Sequence, residues 1–253
     1  MAANEMLALR DVGHSFGGFA VLNSVSFSVP NRDIVGLIGP NGSGKTTLFN
    51  IISGYIAHLR GEIRYCGGEL GRHSIQERSN AGMVRTFQTP KIFERMSVIE
   101  NIMVGACKRT SSGMVEDLLR LPRSRRDMRQ IRNEADEICA KFDLSEVRNS
   151  PSQTLPAGQR RVLEIARAVI GRPKLLMLDE PSSGLNPDEV ANLRHWIEQL
   201  NREGMTILLV SHDMELMNVA NHVHVLYFGK IIASGDMKEI QSNPQVREVY
   251  LGV

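Results

Sequence analysis

Short apolar runs, separated by turn residues, occupy residues 7–36 of the chain. The segments LALRDV, AVLNSVSFSV and DIVGLI alternate or run apolar, with loops at 14–19 and 30–32 between them, which predicts three strands. The segment GEIRYCGGEL, from Gly61, predicts a further short strand pair with a Gly-Gly turn. The N-terminal part is therefore predicted to consist mainly of strands.

Helical spacing replaces this pattern between Glu100 and Leu144, where VIENIMVGA, GMVEDLLRL and DMRQIRNEADEICAKF predict helices. After Arg161, strands and helices alternate: helix LEIARAVI, strand KLLMLDE, helix DEVANLRHWIEQLNRE, strand TILLVSH, helix MELMNVANH and strand VHVLYFG. Alternation of this kind indicates a largely parallel sheet covered by helices. The predicted fold class is α/β, with a mostly helical block inserted in the middle.

Composition excludes several classes of protein. The chain has 253 residues, of which 42% are hydrophobic and 23% charged, as in a globular protein. A net charge of +2 gives no electrostatic reason to expect a nucleic-acid partner. We find no signal peptide in MAANEMLALRDVG and no apolar run of about 18 residues that would span a bilayer. Cys66, Cys107 and Cys139 lack metal-ligand spacing and are expected to be reduced thiols of a cytosolic protein.

The segment GPNGSGKTT, between a predicted strand and a predicted helix, fits the phosphate-binding pattern G-x-x-x-x-G-K-[ST]. Glycines let backbone N–H groups turn toward a phosphate, and the following helix presents its positive end to the same anion. Lys45 is expected to reach the β- and γ-phosphates, and the Thr46 hydroxyl to bind Mg²⁺. The predicted nucleotide-binding residues of this segment are Gly39, Asn41, Gly42, Ser43, Gly44, Lys45, Thr46 and Thr47.

Two further strands are predicted to end in polar side chains at the same edge of a parallel sheet. Asp179 suits a contact to Mg²⁺, and Glu180 suits a general base for a water that attacks the γ-phosphate. His212, at the end of TILLVSH, suits a hydrogen-bond donor to the γ-phosphate. Taken alone, the acids also fit the start of a surface turn, and the histidine a structural role. Asn186 is predicted to cap the helix that begins with Pro187.

These segments, in this order, resemble the ATPase subunits of ABC transporters over nearly the whole chain. The segments that carry the resemblance are GPNGSGKTT (phosphate loop), RTFQTP with Gln88 (Q-loop), LPAGQRRVLEIARAV (signature), LLMLDEP (Walker B), SSGLNP (D-loop) and Ser211–His212 (switch histidine). The resemblance implies a P-loop NTPase, or RecA-like, core with a small antiparallel β subdomain in 1–87 and 162–253. It also implies an inserted helical subdomain in 88–161 that carries the Q-loop and the signature.

The resemblance further implies an ATPase that binds ATP and Mg²⁺ as a head-to-tail pair. Each ATP lies between the phosphate loop of one subunit and the signature residues Gly158 and Gln159 of the other. Phe16 matches the aromatic residue that stacks on adenine, although Phe16 or Phe19 also fits packing into the small sheet. The implied catalytic residues are Glu180, His212, Gln88 and Lys45, and the implied metal ligands are Thr46, Gln88 and Asp179.

The signature departs from the common L-S-G-G-Q, because Pro156 and Ala157 leave no serine hydroxyl for the γ-phosphate of the partner. The L-P-x-G-Q signature, the GLN of the D-loop, the YLG near the C-terminus and the elongated helical block resemble ATPases of branched-chain amino-acid importers. ATPases of urea and other amide importers look similar. An exporter is also compatible with the chain, because its partners set the direction of transport.

The family implies partners in the form of membrane permease subunits, a second ATPase that is identical or related, and a solute-binding protein, with no nucleic acid. It implies a peripheral position on the cytoplasmic face of the inner membrane. One alternative is a soluble ABC ATPase of DNA repair or translation, but such proteins usually carry a coiled-coil insertion or two cassettes. A small-molecule P-loop kinase is another alternative, and it gives no reason for the LPAGQ segment and His212.

The basic run RLPRSRRDMRQIR permits two interpretations. Neighbouring acids favour a solvated helical hairpin, whereas the arginines also suit lipid headgroups or a membrane subunit. The residues concerned are Arg120, Arg123, Arg125, Arg126, Arg129 and Arg132, with Asp117, Asp127 and Glu134.

Overall fold

The computed structural model of the chain describes residues 5–71, 73–109 and 122–251. It contains two compact units. The first, called the core unit here, comprises the described residues of 1–85, 174–183 and 190–253. The second, called the helical unit, comprises those of 86–173 and 184–189.

The core unit contains an antiparallel sheet in the order β2-β1-β4-β5. Its strands are β1 (Glu5–Phe16), β2 (Phe19–Pro30), β4 (Arg60–Tyr65) and β5 (Gly68–Glu69). The predicted loop at 14–19 is wrong, because β1 and β2 stay paired up to Phe16 and Phe19. Only Gly17 and Gly18 form the turn, and their positive φ angles of 53° and 87° allow a tight two-residue hairpin.

A second sheet has the strand order β10-β9-β3-β8-β7-β6. Its strands are β3 (Ile34–Ile38), β6 (Met83–Arg85), β7 (Leu175–Asp179), β8 (Thr206–Val210), β9 (His222–Tyr227) and β10 (Lys230–Gly235). All neighbouring pairs are parallel except β9–β10. Every residue of β3, β7 and β8 is buried, as expected for parallel strands covered on both faces. The predicted α/β class is confirmed, and the antiparallel edge strand β10 was not predicted.

The described residues form nine α-helices. They are α1 (Lys45–Ser53), α2 (Ile75–Asn80), α3 (Val98–Gly105), α4 (Pro122–Lys141), α5 (Ala157–Ile170), α6 (Pro187–Arg202), α7 (Met214–Met217), α8 (Met237–Ser242) and α9 (Pro244–Leu251). Within these residues, the helices are each too short or too polar to cross a lipid bilayer.

The helix predicted for MELMNVANH is wrong in length, because α7 ends at Met217. Asn221 ties the following chain to β3: its N–H donates to the Ile34 carbonyl at 2.8 Å, and its side-chain oxygen accepts from the Ile34 N–H at 2.9 Å. These bonds direct the chain into β9. Helices α2, α8 and α9 were not predicted. The helix predicted for GMVEDLLRL lies at 113–121, outside the described residues.

Helix α1 is held by apolar residues from both sheets. Its residues Leu48, Phe49, Ile51 and Ile52 are fully buried. They belong to one hydrophobic cluster with side chains of β1 to β4 and β6 to β9. Because this burial fixes α1, it also fixes the glycine-rich loop that leads into its first residue.

The helical unit packs α3 against α5 and α4. Ser97 and Glu100 form a capping box at the start of α3. In α4, Arg126, Arg129 and Arg132 are exposed, whereas Glu134 pairs with Arg109 at 2.6 Å. Of the other residues in the basic run, Asp117 and Arg120 lie outside the described residues.

The packing units end at residues 85 and 173, whereas the sequence analysis places the helical subdomain at 88–161. The reason for the difference is α5, which packs along its length on α3 and stays with the helical unit.

We expect Gly105→Ala to lower the free energy of unfolding by about 2 kcal/mol, as other overpacking substitutions do. A Cβ at Gly105 would overlap the Arg167 carbonyl oxygen of α5 and lie 2.7 Å from the Ile170 side chain. Urea denaturation provides the measurement. Gly68→Ala is the control, because its Cβ would meet only the Tyr65 carbonyl at an ordinary 3.7 Å. Equal stability of both variants would contradict this prediction.

Candidate nucleotide-binding site

The glycine-rich loop, an acidic pair and a histidine follow three adjacent parallel strands. The loop from Gly39 follows β3, Asp179 and Glu180 lie at the end of β7, and His212 follows β8, which lies between the other two. All three strands present their carboxyl ends to one edge of the sheet. Parallel α/β sheets bind ligands at this edge.

Glycine is needed at several loop positions for reasons of space and backbone conformation. A Cβ at Gly39 would overlap the Leu226 carbonyl oxygen, and one at Gly44 would lie 2.8 Å from the Leu22 side chain. Gly42 and Gly44 have φ angles of 82° and 109°, which favour glycine. The loop is therefore packed closely against β2 and β9, in a backbone conformation that favours glycine.

The N-terminal turn of α1 begins immediately after this loop. Gly44 caps the helix without a side-chain hydrogen bond, and the first turn contains no acidic residue. The first N–H groups of a helix have no partner within the helix and attract anions. Thr46 and Asn41 are exposed, Thr47 is half-buried and Ser43 is buried.

The ammonium group of Lys45 lies over the loop. Its Nζ atom donates to the Gly39 carbonyl at 2.6 Å and to the Pro40 carbonyl at 3.0 Å. Burial lowers the pKa of Lys45, while Glu180 and Asp179 act in the opposite direction. The lysine therefore lies within electrostatic reach of both acids.

Asp179 is 5% exposed and forms an ion pair that the sequence analysis missed. Its Oδ2 atom accepts from Nη2 of Arg85 at 2.7 Å. The other amino group of Arg85 donates to Asn50 Oδ1 at 2.7 Å and to Ser53 Oγ at 2.9 Å, both on α1. The signal in the sequence that could have revealed this ion pair was Arg85, the first residue of RTFQTP, which ends the strand β6 beside β7.

Glu180 and His212 contact each other directly. The Oε2 atom of Glu180 lies 2.7 Å from Nδ1 of His212 and 3.3 Å from its backbone nitrogen. Glu180 has a φ angle of 47°, unusual for a residue with a side chain, and its N–H donates to the Val210 carbonyl at 2.8 Å. Its side chain is 13% exposed, whereas that of His212 is 66% exposed. The bond to β8 thus holds the Glu180 backbone in its left-handed conformation, while the carboxylate lies beside the imidazole.

The signature segment forms the start of α5 in the helical unit. Pro156 precedes the helix and makes no side-chain cap, so the first N–H groups have no hydroxyl partner there. Gly158 is buried, and a Cβ at this position would overlap the Glu189 carboxylate. Glu189 and Asn186 cap α6 reciprocally with two bonds of 2.9 Å, as the sequence predicts for Asn186. Gln159 is half-buried.

The Q-loop is held by two buried side chains of α5 that the sequence analysis missed. Arg161 donates to the carbonyls of Phe87 and Gln88. Glu164 Oε1 accepts from the N–H groups of Phe87 at 3.3 Å and Lys91 at 3.1 Å, and its Oε2 pairs with Arg161 at 3.2 Å. Burial raises the pKa of Glu164, against the effect of these partners. The Gln88 side chain itself is exposed.

Phe16 is the last residue of β1, not a loop residue as predicted. Its ring is 50% exposed and meets the buried His14 ring edge-on, with centroids 4.5 Å apart. Phe19, across the hairpin, is 74% exposed. Phe16 therefore packs against one ring and stays half exposed, and its role as the adenine-stacking residue stays a prediction.

Glu164→Gln is expected to loosen the Q-loop and to lower the free energy of unfolding by about 3 kcal/mol, because it breaks a buried ion pair. An amide cannot accept at both ends, so it loses either Arg161 or the two loop N–H groups. Hydrogen exchange should become faster at Phe87 and Lys91. The control is Glu198→Gln on α6, whose carboxylate pairs with the more exposed Arg194 and Arg202. Unchanged exchange at both loop N–H groups would contradict this assignment.

Comparison with known proteins places these features in one family. The family model described as ABC transporter matches residues 22–183, and the model described as branched-chain amino acid ATP-binding cassette transporter matches residues 230–253. The chain is 38% identical to the high-affinity branched-chain amino acid transport ATP-binding protein BraF of Pseudomonas aeruginosa, over 99% of each chain. It is 37% identical to LivG of Escherichia coli, described in the same words, over the same share.

Two further similarities extend this result. The chain is 33% identical to the lipopolysaccharide export system ATP-binding protein LptB of Haemophilus influenzae, over 98% of each. A crystal structure of MJ1267, an ATP-binding cassette of an ABC transporter in its ADP conformation, matches with a TM-score of 0.84 and 31% identity, covering 98% of this chain and 99% of that one. The chain therefore belongs to the ABC transporter family, as an ATP-hydrolysing cassette of its branched-chain amino acid group.

Proposed function

We propose that the chain binds ATP with Mg²⁺ at the glycine-rich loop and powers the uptake of branched-chain amino acids or a related small solute. The observation that carries this proposal is the placement of Lys45, Asp179 and the Glu180–His212 pair at the ends of three adjacent strands. These groups supply a cation for phosphates, a carboxylate for a metal and a carboxylate for a water.

The loop residues fit a triphosphate. Gly42 and Gly44 have the positive φ angles of a tightly turned loop, and α1 adds its positive end. Lys45 supplies a charge for the β- and γ-phosphates. The proposed contacts of the loop are Gly39, Asn41, Gly42, Ser43, Gly44, Lys45, Thr46 and Thr47. Phe16 is proposed to stack on the adenine with the open surface of its ring.

The donor set also fits magnesium. Among the described residues, no three His, Cys, Asp or Glu side chains gather into a metal-binding cluster. Mg²⁺ commonly needs only one or two carboxylates together with phosphates and water. Asp179 and the Thr46 hydroxyl are the proposed ligands, and Gln88 is a further one by family resemblance. When bound, the ion neutralises charge on the phosphates.

Glu180 is the proposed general base. Its carboxylate orients a water and accepts a proton from it as the water oxygen bonds to the γ-phosphorus, while the bond from that phosphorus to the β,γ-bridging oxygen breaks. His212 holds Oε2 of this carboxylate through Nδ1, and its Nε2 is proposed to reach a γ-phosphate oxygen. Lys45 stabilises the charge that develops on the phosphates. Gln88 is proposed to help position the water.

We propose that two cassettes act head to tail, with Gly158 and Gln159 of one facing the ATP of the other. Pro156 and Ala157 supply no hydroxyl, so the N–H groups at the start of α5 provide the anion contact. Binding of ATP favours the closed pair, and hydrolysis releases it. Such a cycle drives the permease subunits only because ATP binds the closed state of the pair more tightly than the open state.

The proposed partners are two membrane permease subunits, a second cassette and a solute-binding protein, at the cytoplasmic face of the inner membrane. The match of the C-terminal segment to branched-chain amino acid transporters and the likeness to BraF and LivG support this cargo. The likeness to LptB makes an export system the main alternative. Co-expression with its permease genes tests the assignment: leucine uptake into cells supports import, and uptake unaffected by loss of this chain would contradict it.

Glu180→Gln is expected to retain ATP binding and to slow hydrolysis by about two to four orders of magnitude, because an amide cannot accept the proton. Steady-state phosphate release and ATP titration provide the two measurements. Glu215→Gln, which neutralises an exposed carboxylate three residues after His212, serves as the control. Hydrolysis at the unsubstituted rate in Glu180→Gln would refute the role of Glu180.

Lys45→Ala is expected to weaken ATP binding itself by about 10- to 100-fold, since hydrogen bonds to charged groups contribute about 1.5–3 kcal/mol. Equilibrium titration with a non-hydrolysable ATP analogue measures this effect. Lys230→Ala removes an exposed lysine of β10 and should leave the affinity unchanged. Equal affinities of the two variants would be inconsistent with phosphate binding by Lys45.

A further inference from the structure

Arg85 links the Walker B carboxylate to the helix that follows the phosphate loop. One amino group of its guanidinium binds Asp179 at 2.7 Å, and the other binds Asn50 and Ser53 of α1 at 2.7 and 2.9 Å. The side chains of the ion pair are only 7% and 8% exposed. The guanidinium carbon also lies 5.4 Å from the centre of the Phe49 ring. The arginine is thus fixed from several sides.

A buried pair of this kind is a poor source of stability, because desolvation of the two charges offsets most of their attraction. Its geometry, however, is restrictive. A guanidinium is planar and presents its donors in fixed directions, so the carboxylate that it binds is fixed as well. The pair therefore orients the plane of the Asp179 carboxylate with respect to α1.

Arg85 also occupies a particular position in the chain, at the junction of β6 and the Q-loop. Arg85 is the last residue of β6, and its backbone pairs with Met177 of β7, two residues before Asp179. Three residues later comes Gln88. The arginine thus stands at the point where the chain leaves the core unit for the Q-loop.

We propose that Arg85 is a positioning residue for magnesium, which fixes the Asp179 carboxylate by holding its Oδ2 atom against α1. The proposal rests on the proposed function, because it assigns a role within the same ATP site. Arg85 touches neither nucleotide nor metal in this assignment. It acts through Asp179, as groups behind a metal ligand commonly do.

The test compares the affinity of the full chain for a non-hydrolysable ATP analogue in EDTA and in excess Mg²⁺. The ratio of the two dissociation constants measures the contribution of the metal. Arg85→Lys keeps the charge but loses the planar fork, and we expect it to reduce the ratio by about tenfold. The affinity in EDTA should change by less than about twofold, since the phosphate contacts remain.

Arg78→Lys is the matched control. Arg78 is also a residue of the core unit with little exposure, and it donates at 2.7 Å to the carbonyls of Ile51 and Ile52 on the same helix. It should lower thermal stability as Arg85→Lys does and leave the Mg²⁺ ratio unchanged. A reduced ratio in Arg85→Lys alone supports the proposal, and equal ratios in both variants overturn it.

A double-mutant cycle identifies the route of the effect. Asp179→Asn should itself reduce the Mg²⁺ ratio, and adding Arg85→Lys should then cause no further loss, because the two residues act as one unit. Additive losses would overturn the proposal. Should Arg85→Lys fail to fold, Asn50→Ala removes one support of the guanidinium and should reduce the ratio in the same direction by a smaller factor. An unchanged ratio in Asn50→Ala would then count against it.

Failure of the proposed function gives a different result from failure of this proposal. If the unsubstituted chain bound the ATP analogue under neither condition, the ATP site itself would be refuted. If it bound with the full Mg²⁺ effect and Arg85→Lys kept that effect, only the role of Arg85 would be refuted.

Discussion

Burial of α1 between the two sheets of the core unit is the constraint on which the site depends. The apolar side chains of α1 are fully buried, so the helix cannot shift without opening the core. Its first turn therefore presents N–H groups at a fixed point beside the ends of β3, β8 and β7. Hydrophobic packing positions a polar site here, because the same short helix supplies both.

Charged and hydrogen-bonding side chains surround that fixed point. Lys45 lies within electrostatic reach of Asp179 and Glu180, while Arg85 hydrogen-bonds to Asp179 and His212 to Glu180. Each carboxylate is thus held by a cationic or hydrogen-bonding partner from a different strand. Such an arrangement fixes the directions of the carboxylate groups before a ligand arrives, which is what a site for phosphate chemistry requires.

In the helical unit, buried charged side chains likewise hold a loop in place. Arg161 and Glu164 of α5 satisfy backbone groups of the Q-loop, so the helix that starts at the signature also holds residues 87–91. This connection lies within one packing unit and depends on two buried charges that compensate each other.

The sequence by itself determined the α/β class, the buried strands, the glycine-rich loop and the order of the motifs, because these depend on local spacing and on apolar periodicity. Only the tertiary structure decided the partners: Arg85 with Asp179, Glu164 with the Q-loop and Asn221 with β3. It also extended β1 to Phe16, since pairing with β2 outweighs local turn signals. Contacts between residues more than 70 positions apart leave no periodic trace in a single sequence, so no local pattern reveals them.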